Sequence, residues 1–257
     1  MTSSTNHSAT PLVTTSVTEP IAVVEMHRPP SNFFDAKLLS ELATAVLALD
    51  TDPRVRCIVL CSEGKHFCAG ADLRGIDANG IREVYREAFR LFCGRTPIVA
   101  AIQGAAVGGG LGLALAADLR VAADDAWFSA NFAQLGFHHG FGLTVTLPRA
   151  VGHQKALELL YTGRRVPGVE ALEIGLCDRV TSVDPRAAAI ELAREIGRSA
   201  PLSLRMIRGT MRRKVVAEVA AALDQEAVAQ AALLDTADFA EGLAASIGKR
   251  EPRFRGA

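Results

Sequence analysis

Residues 97–117 read PIVAAIQGAAVGGGLGLALAA, and the fold follows from how that run is parsed. Ile98 to Ile102 is a continuous apolar stretch of strand length, and Gly104 marks a tight turn. Gly108, Gly109 and Gly110 follow, and the alanine-leucine run after them reads as a buried helix. A helix that opens on glycines lets a ligand approach its backbone closely. Its first N–H groups lack an intrahelical acceptor, and the helix dipole adds partial positive charge. That combination suits developing negative charge, such as the oxyanion of a reacting carbonyl. The glycines do not end in Gly-Lys-Ser/Thr, so they form no phosphate loop. Leu113 or Leu115 falls where a dinucleotide fingerprint needs its last small residue. Alone, the cluster reads equally well as a tight turn with close helix packing.

On either side, short apolar strands alternate with helices. Ile21–Met26 reads as a strand, Asp35 as the cap of a helix through Ala48, and Cys57–Cys61 as a second strand. Tyr85 to Cys93 has the spacing of an amphipathic helix, and Leu119 to Ala123 is another strand. This alternation predicts an α/β core. A second small-residue segment, Ala69-Gly70-Ala71, follows the Cys57–Cys61 strand. Two such segments after successive strands can bring two backbone donors to one oxygen. Trp127 to Gly142 has no clean period and is dense in Gly, Phe and His, as suits a loop lining a pocket. From Thr144 the chain turns helical, with a strand around Arg179. Val215 to Leu234 is apolar nearly all round and calls for burial on several sides, a neighbouring subunit included. No internal repeat is visible in the sequence. The expected divisions are a disordered leader at 1–18, a core at 19–195 and a helical region at 196–257.

Composition narrows the function. The 257 residues are 49% hydrophobic, enough for a sizeable core, and 28 basic residues balance 28 acidic ones. A balanced charge leaves no footprint for nucleic acid, and the basic stretch Met206–Lys214 reads as a solvated helix face. Five cysteines without CxxC pairs speak against a disulfide framework or a zinc site, and reduced thiols fit a cytoplasmic protein. No run is long enough to cross a membrane, and the Ser/Thr-rich start lacks the basic and apolar segments expected of a signal peptide.

Four stretches together resemble one family. They are HRPPSNFFD, HFCAGADL, the run from Pro97 through AADLRVAAD, and LPRAVGHQKALELLYTGRRVPGVEALEIGLCDRV; the closing KREPRFRGA is similar too. The likeness, from about Ile21 to Phe254, is to the crotonase, or enoyl-CoA hydratase/isomerase, superfamily. It implies a spiral of ββα turns with a helical C-terminal trimerisation region, and a homotrimer or dimer of trimers. It also implies a place in fatty acid metabolism and an acyl-CoA thioester as substrate, with no metal and no cofactor beyond the coenzyme A of that substrate. The thioester carbonyl would accept from the N–H groups of Ala71 and Gly109, with Ala69, Asp72 and Leu73 along the CoA.

Two positions depart from the hydratases of that superfamily. Gly112 and Phe132 stand where they carry glutamates, and neither side chain handles protons. Gly112 is expected to open space beside the oxyanion site, and Phe132 to make the facing wall apolar. Ordinary enoyl-CoA hydration is therefore not expected. His138 and His139, in the loop that the resemblance folds over the acyl group, are the candidate bases, at most one of them facing the pocket. Both also read as ordinary loop histidines. Gly140 matches a glycine of that loop and is expected to approach substrate. His66, Asp118, Asp124 and Asp125 read as loop, cap or turn residues. A local likeness to the superfamily's dehalogenase branch carries no chemistry over, because that branch's aspartate nucleophile is here Gly140. The expected function is an acyl-CoA-processing enzyme with atypical acid–base groups, with isomerisation, hydration and C–C cleavage of a thioester enolate all open. Two alternatives stand beside it: an acyl-CoA carrier that leaves its ligand unchanged, and an oligomeric scaffold.

Overall fold

Strands buried on both faces read as largely apolar runs, and four of these set the frame. The computed structural model describes residues 11–257. Its first half runs β1 (Val13–Thr18), β2 (Ile21–Met26), α1 (Ala36–Ala48), β3 (Cys57–Ser62), α2 (Ala78–Phe92), β4 (Ile98–Ile102), β5 (Ala105–Val107), α3 (Gly109–Ala116) and β6 (Leu119–Ala123). The second half runs β7 (Trp127–Ser129), α4 (Leu143–Val151), α5 (His153–Thr162), β8 (Val166–Pro167), α6 (Gly168–Glu173), β9 (Arg179–Thr181), α7 (Pro185–Ile196), α8 (Pro201–Leu233) and α9 (Ala237–Ile247).

The larger sheet has the order β1-β2-β3-β4-β6-β9, parallel except for the antiparallel β1–β2 pair. The smaller sheet, β5-β7-β8, lies beside single bridges that join Phe34 to Ala71 and Cys68 to Ala106. The chain therefore repeats one motion: a long strand, a short extended segment in the second layer, then a helix. That is the expected spiral of ββα turns.

Alternation divides the burial between two cores. Ala22, Val24, Ile58, Leu60, Ala100 and Ile102 face the helices and the second layer. Ile21, Val23, Val59, Val99 and Val121 face the other way, against Ala189, Leu192 and Ala193 of α7. Asp35 caps α1 by accepting from the Leu38 N–H at 2.8 Å.

Two expectations are corrected here. The leader assigned to 1–18 is not disordered over its second half, because Val13–Thr18 forms β1 in register with Ile21–Met26; residues 1–10 lie outside the described residues. The basic stretch of α8 is a solvated face only in part: Arg213 and Lys214 are exposed, but two of its arginines are not. Arg208 is 4% exposed, and both it and Arg212 turn inward to the carboxylate of Asp118, at 2.6 and 2.9 Å. Asp118 also accepts the N–H of Ile98, so it is an ion-pair node between helix and sheet rather than a simple turn residue.

Candidate functional site

The second layer does not close against α2, α8 and α9, and a cavity of about 980 Å³ remains. Its mouth carries Arg28, Asp35, His66, Asp72 and Arg74; its interior is walled by Phe34, Phe132, Phe137, Phe141, Ile81 and Val84. Tyr85 and Gln230 add a polar pair to that apolar wall.

One wall presents main-chain donors. The bridge to Phe34 uses the groups on both sides of Ala71: the Phe34 N–H donates to the Gly70 carbonyl at 3.0 Å, and the Asp72 N–H to the Phe34 carbonyl at 2.8 Å. In a parallel pairing the residue between them turns its own N–H the other way. Ala71 N–H accordingly donates to no acceptor among the described residues. Gly109 is the first residue of α3, and its N–H is likewise unpartnered among the described residues. Gly108, at φ +56°, makes the sharp entry into this helix. The two segments adjoin, since the Cβ position of Gly70 lies 3.8 Å from the Gly109 nitrogen. At Gly110 a side chain would collide with the Cys68 carbonyl, so this close approach of helix and loop requires glycine.

The titratable groups at the mouth are all engaged. Burial pushes the Asp35 carboxyl up, but hydrogen bonds from Arg28 and Leu38 outweigh it and hold it below its ordinary value. The Arg74 guanidinium, 2.6 Å from Asp72, does the same there. His66 accepts the Ala105 N–H on Nδ1 at 3.1 Å, which places its proton on Nε2; burial, and then the Lys65 charge, lower its pKa.

This architecture matches known proteins along nearly its whole length. The family model for enoyl-CoA hydratase/isomerase matches residues 16–257. The chain belongs to the enoyl-CoA hydratase/isomerase family. It is 36% identical over 241 residues to the mitochondrial methylglutaconyl-CoA hydratase of Mus musculus, covering 88% of this chain and 76% of that protein. The crystal structure of an enoyl-CoA hydratase/isomerase from Pseudoalteromonas atlantica superposes with a TM-score of 0.87 at 31% identity, covering 95% of this chain and 100% of that one. An enoyl-CoA hydratase from Mycobacterium avium subsp. paratuberculosis superposes with a TM-score of 0.86 at 26% identity, covering 95% and 99%.

Within this enoyl-CoA hydratase/isomerase fold, the cavity gathers Ala69, Ala71, Asp72, Leu73, Gly109, Phe132 and Gly140 from the sequence-derived set. It does not gather the histidines. His138 donates from Nδ1 to the His139 carbonyl at 2.7 Å, and the two rings stack 4.1 Å apart. His139 Nε2 donates at 2.9 Å to Thr144 Oγ1, which in turn donates to Glu226. Neither imidazole lines the cavity, so the expectation of a histidine base there is corrected. The hydrogen bonds of the loop tie the His139 ring to Thr144 of α4 and the His138 ring to the loop's own backbone instead.

Gly112 is the second correction. It opens no space, because a Cβ there would lie 2.5 Å from Phe141 Cβ and 2.9 Å from its ring. Phe141, at φ +62° and 1% exposed, fills the notch and packs edge-on to Phe34 with centroids 5.3 Å apart. Phe34, Tyr85, Phe141 and Gln230 also form the wall, although no motif in the sequence marks them as a group. One signal was present: a tyrosine hydroxyl on the apolar stripe of an amphipathic helix.

Proposed function

We propose that this cavity binds an acyl-CoA thioester whose carbonyl oxygen accepts from the N–H groups of Ala71 and Gly109. The observation that carries the reading is the pair of unpartnered amides on adjoining segments of one cavity wall. Negative charge gathers on that oxygen in a thioester enolate, and fixed donors stabilise it without reorganisation. Removing one donor from such a site costs roughly 3–4 kcal/mol of transition-state stabilisation. The α3 dipole adds to the effect. Ala69, Asp72 and Leu73 line the path of the CoA, while Phe132 and Gly140 face the acyl part. The reaction is of the hydratase/isomerase type. The same reading takes the protein as a cytoplasmic homotrimer or dimer of trimers, with coenzyme A present only as part of the substrate.

The test is calorimetry against a panel of acyl-CoA thioesters, followed by mass analysis of the recovered ligand. Micromolar binding with a new product is the expected result; no affinity for any thioester overturns the reading. The paired variant His138→Ala, His139→Ala should keep its turnover, because neither ring reaches the cavity. A second reading, a carrier that returns its ligand unchanged, is favoured by the state of the cavity carboxylates. Asp35 and Asp72 are each tied to an arginine and held below the ordinary range, which leaves them poor bases. Tight binding with ligand recovered intact selects the carrier.

A further inference from the structure

Tyr85 and Gln230 meet inside the cavity wall with hydrogen-bonding capacity left over. The orientation of the Gln230 amide is fixed by its neighbour: a main-chain carbonyl only accepts, so Nε2 faces the His138 carbonyl and donates to it at 2.8 Å. Oε1 then faces Tyr85 and accepts its hydroxyl proton at 2.7 Å. One Nε2–H remains without an acceptor among the described residues. The Tyr85 oxygen, even with the Phe141 amide beside it, keeps a free lone pair. Both side chains are buried, at 8% and 4% exposure, and both line the cavity. They abut Gly140, where a Cβ would lie 2.8 Å from Nε2 and would collide with the tyrosine hydroxyl. Burial, with the Glu226 charge adding to it, holds the phenol well above its ordinary pKa, so it stays neutral and does not act as a base.

One spare donor beside one spare acceptor is the complement of a hydroxyl group, which can accept from the amide and donate to the phenol oxygen together. A saturated chain answers neither, a ketone oxygen answers only the amide, and a carboxylate has no proton for the phenol. We propose that Tyr85 and Gln230 form a hydroxyl-reading subsite, so that an acyl thioester with a hydroxyl on its acyl chain is bound in preference to the saturated thioester of equal length. This rests on the reading of the cavity as an acyl-CoA site.

Calorimetry with octanoyl-CoA and a series of hydroxyoctanoyl-CoA isomers tests it. In the wild type at least one isomer should bind about tenfold tighter than octanoyl-CoA, the worth of one well-made hydrogen-bonding pair. Tyr85→Phe and Gln230→Met should each bring that ratio of affinities, measured within the same variant, close to one. Tyr85→Phe leaves the Gln230–His138 bond in place, and the wild-type ratio needs no variant. Equal affinities for every isomer in the wild type, or a preference that survives in both variants, overturn the subsite alone. Binding of none of these thioesters overturns the acyl-CoA reading as well.

Discussion

At Gly112 two effects of opposite sign meet. Alanine gains about 1 kcal/mol of helix propensity over glycine, but its methyl group would enter the space of Phe141. Phe141 cannot retreat, because Phe34 and Phe92 pack against its ring. Overpacking of this kind costs about 1–3 kcal/mol, so Gly112→Ala should lower stability by about 1 kcal/mol in urea unfolding. In a Phe141→Ala background the same change should be neutral or stabilising, giving a measurable coupling in a double-mutant cycle. A second residue-scale prediction concerns His139. Burial, and then the His138 charge, lower its pKa from 6.5 to about 4. The unfolded chain takes up the proton near the upper value and the native protein only near the lower one. Stability is therefore full above pH 6.5 and is lost as pH falls through that window, by about 2 kcal/mol for a half-buried ring. His139→Gln should flatten this loss in urea midpoints taken between pH 7 and pH 4.

Among the elements, α8 reaches farthest. Its Glu226, 1% exposed, accepts from the N–H of Gly142 at 2.8 Å, from the N–H of Thr144 at 3.0 Å and from the Thr144 hydroxyl at 2.7 Å. One carboxylate thus pins the start of α4 and, through it, the loop that carries Phe141 into the cavity. Glu226→Ala leaves three donors without their acceptor and should cost about 2–4 kcal/mol, since each buried orphan is worth about 1–3 and Thr144 is exposed. Amide exchange at Gly142 and Thr144 should rise sharply while β3 stays protected. Equal exchange in variant and wild type would show that the clamp does not hold the loop. These long-range ties explain which elements the sequence makes legible. β2, β3, β4 and β6 are largely apolar on both faces, interrupted by Glu25 and Arg120, and announce themselves. β5 does not, because three residues, Ala105 to Val107, carry no period and owe their strand to pairing with β7. Arg208 and Arg212 of α8 look solvated until the Asp118 carboxylate is placed beneath them. The spiral repeats in space without repeating in sequence, since each turn needs only an apolar strand, a short extended segment and a helix.

At the scale of the whole molecule, the donor pair was readable because both amides come from runs of small residues, while the walls were not. Phe34, Tyr85, Phe141 and Gln230 reach the cavity from four separate segments, and no local pattern ties them together. Adjacent histidines were equally ambiguous, because a sequence does not say which way a loop turns its rings. The first half of α8 leaves Leu202, Met206 and Met211 more than 70% exposed, with Ile207 beside them, although apolar side chains of this size gain about 1.5–3 kcal/mol each on full burial. A second copy of the chain is the partner that the expected trimer supplies. Size-exclusion chromatography with light scattering at micromolar concentration should give three or six times the 27.2 kDa chain mass. Introducing Met206→Glu with Met211→Glu should return single chains, because a charge buried in an apolar interface costs several kcal/mol, and the circular dichroism spectrum should be retained. A single-chain mass for the wild type would remove the trimer from this account and leave the cavity, built within one chain, as it stands.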